Sequence, residues 1–326
     1  MTKTLRAIAA PEAFGKLQTQ MRTQRPGVEL LVANSLWGRK GSRFQPAFLE
    51  SLRTNFGGGF HEVDFQAGGA DAVNQWVKSQ TKDQIPDLLR PDDVNRLTRL
   101  ILANAIYLKG EWASRFHNTR TTHFFPKPGE SFPHPMMSQA SSFRYAQTKT
   151  LQALEMPYVG DAVSMVVLLP LEWDGLSEVE DLLTPENWAK WLGWMEPMKV
   201  NVYFPRFKLD QELRLGDTLS AMGMPLAFDR DKADFSGIVD FSTNPNDRVH
   251  ISQVIHKVRI EVDEAGAKAA GASAVILEAK SDKGEARVRV EQPPQLLACH
   301  PFVFAIRDRH TGAILFVGRV VDPRAK

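Results

Sequence analysis

The stretch EVDEAGAKAAGASAVILEAKS, residues 261–281, constrains the fold of this chain more than any other. From Glu264 to Ala274 almost every side chain is a methyl group or less, so the segment cannot build a core of its own. Read with a period of two, Ala267, Ala269, Gly271, Ser273, Val275, Leu277 and Ala279 share one face, and Lys268, Glu278 and Lys280 put the charges on the other. That is the pattern of a strand with one buried face. Alanine and glycine are nevertheless poor strand formers. The sequence therefore permits a strand without requiring one, as a segment with two alternative homes would need. A plain surface loop of small residues is the other reading. The glycines at 266 and 271 also have the spacing of a phosphate-cradling loop, but Ala272 stands where that motif needs lysine, which argues against nucleotide binding.

Nothing else in the 326 residues marks a boundary between domains: no Gly/Ser linker, Pro-rich run or charge block separates two cores. A single domain over 1–326 is expected. The hydrophobic fraction of 43% and charged fraction of 24% are those of an ordinary chain with a substantial core. A formal charge of +2, with basic residues scattered among acids, lacks the footprint of a nucleic-acid binder, and no apolar run has membrane-spanning length. Lone Cys299 excludes an internal disulfide. There is no Gly-x-Ser-x-Gly or His-Glu-x-x-His motif, and His117 and His123 lack a carboxylate or cysteine at ligand spacing, so they read as surface histidines. No cofactor is implied.

Residues 71–89 place Val73, Trp76 and Val77 on one helical stripe, with Thr81 and Asp83 breaking it before Ile85, Leu88 and Leu89, which reads as an amphipathic helix laid on a flat surface. The run RLILANAIYLKG, residues 99–110, predicts a strand covered on both faces, with Asn104 needing partners. Further strands are expected at 164–170, 199–209 and 256–262, a helix at 212–223, and a hairpin over 301–323 turning at 307–312. This mixture is α+β.

Five segments in order, LANAIYLKGEWASRF (102–116), FPHPMMSQASSFRYA (132–146), ALEMPYVGDAVSMVVLLP (153–170), VDEAGAKAAGASA (262–274) and HPFVFAIRDRHTGAILFVGRVVDP (300–323), resemble signatures of the serpin family. The resemblance runs over essentially the whole chain. It implies a serpin fold of three β-sheets and about seven to nine helices, with a hinge and exposed reactive-centre loop over 263–294. The implied activity is suicide inhibition of a serine protease: the protease attacks the loop, forms an acyl-enzyme, and is trapped as the cut loop inserts into the central sheet. The alternative within the family is a non-inhibitory carrier, chaperone or protease substrate, whose hinge would carry bulky or charged residues on its inserting face.

Residue by residue, the resemblance makes Glu264, Gly266, Ala267, Ala269, Ala270, Gly271 and Ala272 the hinge. Counting Glu264 as first, Lys280 is the seventeenth position and Ser281 follows the expected cut. A lysine there suits a trypsin-like protease with a carboxylate in its specificity pocket. Lys283, Arg287 and Arg289 are second choices. Arg206 resembles the basic partner of Glu264, Trp112 the breach tryptophan under the point of entry, and Asn104 with His256 the polar pair of the shutter; a buried Asn and His that merely satisfy one another would look the same. The partner implied is a target protease, with no nucleic acid or membrane, and the chain is expected to be a monomer. Ala267 departs from the threonine or serine most frequent at the first inserting position, and Thr81-Lys82-Asp83-Gln84-Ile85 departs from the frequent helix motif. The chain also opens near what resembles the third helix of the family, so Met1 is expected to be an internal methionine. The compartment is extracellular if a signal peptide precedes it and cytoplasmic otherwise.

Overall fold

The apolar run around Asn104 forms the centre of the larger flat layer. The structure, a computed structural model, describes residues 15, 25–56, 59–242, 248–265 and 292–324. In chain order its strands are β1 (Val28–Arg39), β2 (Gly59–Val63), β3 (Leu100–Gly110), β4 (Asn118–Lys127), β5 (Glu130–Gln147), β6 (Leu151–Pro157) and β7 (Val163–Pro170). They continue with β8 (Glu196–Pro205), β9 (Phe207–Arg214), β10 (Ile251–Val262), β11 (Gln295–Leu297), β12 (Phe302–Asp308) and β13 (Ile314–Val320). One sheet has five strands in the order β2-β1-β3-β10-β9. β1 and β9 run antiparallel to their inner neighbours, whereas β3 and β10 lie side by side in parallel, with Asn104 opposite His256. A strand placed in that seam would be antiparallel to both neighbours, replacing one slanted parallel ladder by two antiparallel ones.

Alternation along β3 sends Ile101, Ala103, Ala105 and Tyr107 to one face, where they are buried with Val73 and Val77. Those valines lie on a helix spanning Gly69–Gln80. On the other face Leu100 and Leu108 enter separate cores at the two ends, while Leu102 between them is 37% exposed and Asn104 is half-buried. The expected double cover therefore holds at the ends of β3 and fails mid-strand on one face, where no described element packs.

The remaining eight strands form one ladder, β11-β8-β5-β6-β7-β12-β13 with β4 on β5. Its long strand β5 pairs with β4 along its first half and with β6 at its end, so the two smaller sheets expected from the family share this strand. The main core lies between this ladder and the β3–β10 layer, where Phe204, Phe207, Phe302 and Phe304 meet Leu108, Ile260 and Val262.

Six α-helices occur among the described residues: α1 (Pro46–Ser51), α2 (Gly69–Gln80), α3 (Leu176–Leu182), α4 (Pro185–Trp194), α5 (Gly216–Ala221) and α6 (Pro225–Phe228). Three expectations need correction. The helix over 71–89 stops at Gln80, where Lys82 and Asp83 take left-handed backbone and the Thr81 hydroxyl caps the turn by accepting from the Ile85 N–H; Ile85, Leu88 and Leu89 are buried without helix. The strand over 199–209 is two strands in different sheets, because the chain crosses between layers at Arg206, whose N–H donates to the Pro135 carbonyl. The helix over 212–223 is confined to α5, since Glu212, Leu213 and Arg214 find ladder partners on β10 and the sheet overrides their helical spacing. The hairpin, and the strands at 164–170 and 256–262, form as expected.

Candidate functional site

At the upper end of the seam β10 runs out at Val262, and the next three residues are held from below. Trp112 is 1% exposed and stacks on Tyr158 at 4.5 Å and 15°. Gly110 makes room for that stack: a Cβ there would meet the Tyr158 ring at 2.4 Å. From this base the indole Nε1–H donates to the Asp263 carbonyl at 2.9 Å, and the Trp112 backbone N–H donates to the Ala265 carbonyl at 2.9 Å. The Asp263 carboxylate accepts from the Ala265 N–H at 2.8 Å, closing a tight turn. Trp112 thus grips the chain on both sides of Glu264.

Glu264 points across the sheet end. Its carboxylate accepts from Arg206 Nη2 at 2.5 Å and from the Thr119 hydroxyl. Burial pushes the Glu264 carboxyl up, but the bonds from Thr119 and Arg206 outweigh it and hold the group below the usual carboxylate range. Below it, Glu261 receives Lys208 at 3.0 Å, Arg259 at 3.5 Å and Lys109 at 3.6 Å, and Lys109 also reaches Asp263 at 3.3 Å. Arg206, Lys208, Glu261, Glu264 and Pro323 line an open cavity of about 440 Å³ at this end.

Midway down the seam, Asn34, Asn104 and His256 make a polar row across β1, β3 and β10, since the registers set Asn34 opposite Asn104 and Asn104 opposite His256. The Asn104 amide donates to the Asn34 side-chain oxygen, and the Asn104 oxygen accepts from His256 Nδ1–H. Burial lowers the His256 pKa and favours the neutral ring.

The structure therefore brings Glu264 to Arg206, and Asn104 to His256, and sets Trp112 directly under the departing chain. Sequence reasoning missed Thr119 and Asn34. Gly266, Ala267, Ala269, Ala270, Gly271, Ala272, Lys280, Ser281, Lys283, Arg287 and Arg289 lie outside the described residues.

An ion pair, an amide–imidazole row and an indole grip on a departing strand make a latch along the β3–β10 seam. The chain belongs to the serpin family. A family profile described as serpin (serine protease inhibitor) matches residues 1–323. Human Serpin B3 is 36% identical over 319 residues, covering 95% of this chain and 78% of that protein. Human leukocyte elastase inhibitor is 36% identical over 324 residues, covering 95% and 82%. Among solved structures, uncleaved ovalbumin superposes with a TM-score of 0.83 at 31% identity over 94% of this chain and 81% of its own. Native protease nexin-1 with heparin gives 0.81 at 31% identity over 95% and 81%.

Proposed function

We propose that this chain is a monomeric suicide-substrate inhibitor of a trypsin-like serine protease, with Lys280–Ser281 as the reactive bond. The observation that carries the reading is the parallel β3–β10 seam, held at its upper end by Trp112 and Arg206 against a segment whose inserting face is Ala267, Ala269, Gly271 and Ser273. Small side chains meet the least resistance when they enter between two packed strands. The protease serine attacks the Lys280 carbonyl; the Ser281 amine leaves, and Lys280 stays bound as an ester. With its downstream end free, the segment enters the seam from Ala265 downward. The seam runs along β10 from Ile251 to Glu261, about 37 Å at ~3.4 Å per residue, so the acylated protease travels most of the length of the sheet. Pulling on the acyl serine moves it from its base and oxyanion donors, and misplacement of that kind slows deacylation.

The test is to mix the protein with trypsin, separate the products on a denaturing gel, and sequence the released fragment. A covalent band at the summed mass less that of the released C-terminal piece, with that piece beginning at Ser281, is expected. A fragment beginning after Lys283, Arg287 or Arg289 would move the reactive bond. Clean cleavage without the band would leave a protease substrate in place of an inhibitor.

A further inference from the structure

Along β6 the odd-numbered residues turn away from the β3–β10 layer: Leu154 and Met156 enter the main core, whereas Leu151 and Ala153 join Val166, Val303 and Trp191 of α4 in an outer one. Glu155 continues the outer face and is 2% exposed. Register sets Arg144 of β5 opposite Glu155, and Arg307 of β12 opposite Ser164 of β7. The Ser164 hydroxyl donates to Glu155 Oε1 at 2.7 Å, and Arg144 Nη1 donates to Oε2 at 3.0 Å. Arg144 Nη2 goes on to the carbonyls of Leu192 and Met195, at 2.6 and 3.3 Å, at the end of α4. Each oxygen of the carboxylate thus has its hydrogen bond.

Two more guanidinium groups stand against the same carboxylate and form no hydrogen bond with it. Arg309 Nε lies 3.5 Å from Oε1 and Arg307 Nη1 3.7 Å from it. Arg309 has an outlet, since its Nη1 donates to the carboxylate and the carbonyl of Asp161. Arg307 has none: its side chain is 13% exposed, its Nε is buried without a partner, and it makes no hydrogen bond to any described residue. A guanidinium is all donor, and withdrawing it from water toward one distant, shared oxygen is costly. The charges are uneven as well. Arg144, Arg307 and Arg309 face Glu155 and Asp161, of which the Asp161 side chain is 70% exposed, and Asp308, next to both arginines in sequence, is already paired with Arg25 at 2.6 Å. A guanidinium fork matches an oxyanion in charge and in donor spacing. We infer that Arg307 and Arg309 form a site for a small oxyanion of the phosphate or sulfate type, seated at the outer end of the Glu155 cluster. The anion supplies the acceptors that Glu155, already serving Ser164 and Arg144, cannot. The site lies on the face of the second sheet turned away from the β3–β10 seam, uses no residue of the latch, and is independent of protease inhibition.

Thermal unfolding of the full chain in neutral buffer at constant ionic strength tests the site, with sodium phosphate exchanged for sodium chloride. An anion that binds only the folded chain raises the midpoint along a saturating curve, by about 5 °C at a hundredfold excess over its dissociation constant. Arg307→Gln, which leaves Glu155 its bonds from Ser164 and Arg144, should lose that rise. Arg309→Gln, at a more exposed position, should weaken phosphate binding about tenfold, and it carries the test alone if Arg307→Gln does not fold. A rise of equal size in the parent and in the variants is general salt stabilisation and overturns the inference, as does a parent midpoint no higher in phosphate than in chloride. Phenyl phosphate in place of inorganic phosphate separates two sources of the ion. A saturating rise with both assigns the site to phosphoryl groups on larger molecules, and a rise with inorganic phosphate alone assigns it to the free anion.

Discussion

Asn104 serves two neighbours at once, donating to Asn34 and accepting from His256, and the cost of removing it follows from both. Asn104→Ala leaves an imidazole N–H and an amide oxygen without partners in a half-buried row. Unfolding in urea should show a loss of about 1–3 kcal/mol. His256 adds a pH dependence. Burial lowers its pKa in the folded chain, so the unfolded chain binds the proton more readily. Stability is then complete above about pH 6.5, the unperturbed histidine value, and declines as pH falls toward the lower folded-state pKa. The stability advantage of the parent over His256→Gln should be constant above about pH 7 and shrink toward pH 5; a gap that holds steady across that range would remove His256 as the cause. Trp112, Arg206, Asn104 and His256 are legible in the sequence through their surrounding motifs, although Arg206 and Glu264 stand 58 residues apart. Thr119 and Asn34 are not legible, since each owes its place to strand register and to no local pattern.

Among the elements, those read from the sequence most directly carry their own burial pattern. β10 alternates, with Ile260 and Val262 buried, and β7 is buried throughout and apolar but for Ser164, whose hydroxyl donates to Glu155. The failures share one physical cause, a tertiary partner that sequence spacing does not display. Ile85, Leu88 and Leu89 keep helical spacing, yet sit in turns and irregular chain because the sheet below supplies their burial. Residues 199–209 read as one strand, yet their apolar phase shifts from Val200, Val202 and Phe204 to Phe207 and Leu209, where the chain changes sheets at Arg206. Alternation also yields the prediction for the hinge itself. Ala269 is on the face that the proposal sends into the seam, so Ala269→Glu places a charge between packed strands without adding a trypsin site, and its burial without a partner is costly. Trypsin should still cut the variant after Lys280, but the covalent band should fall by at least tenfold and the stoichiometry of inhibition should rise in proportion. An undiminished band would show that the hinge does not enter the sheet.

For the whole molecule, the proposed insertion gives the five-stranded sheet an alternative arrangement with one more strand. Filling the seam along β10 would replace one parallel ladder by two antiparallel ones. That is a gain of about ten hydrogen bonds, and at roughly 1 kcal/mol net each it is comparable with the full stability of an ordinary domain. On that reading the uncleaved form is held by a barrier and not by its depth: the grip of Trp112 and the Glu264 ion pair release before the deeper state is reached. On the same reading, cleavage after Lys280 separates the hinge from Gln295–Leu297, which the second sheet holds as β11 against β8. Calorimetry on the uncleaved chain and on the chain after limited cleavage at Lys280 should therefore give two well-separated midpoints. At roughly 2 °C per kcal/mol for a chain of this size, the cleaved form should melt about 20 °C higher. Equal midpoints would mean that the cut loop stays outside the sheet and that the β3–β10 seam, for all its parallel geometry, is closed.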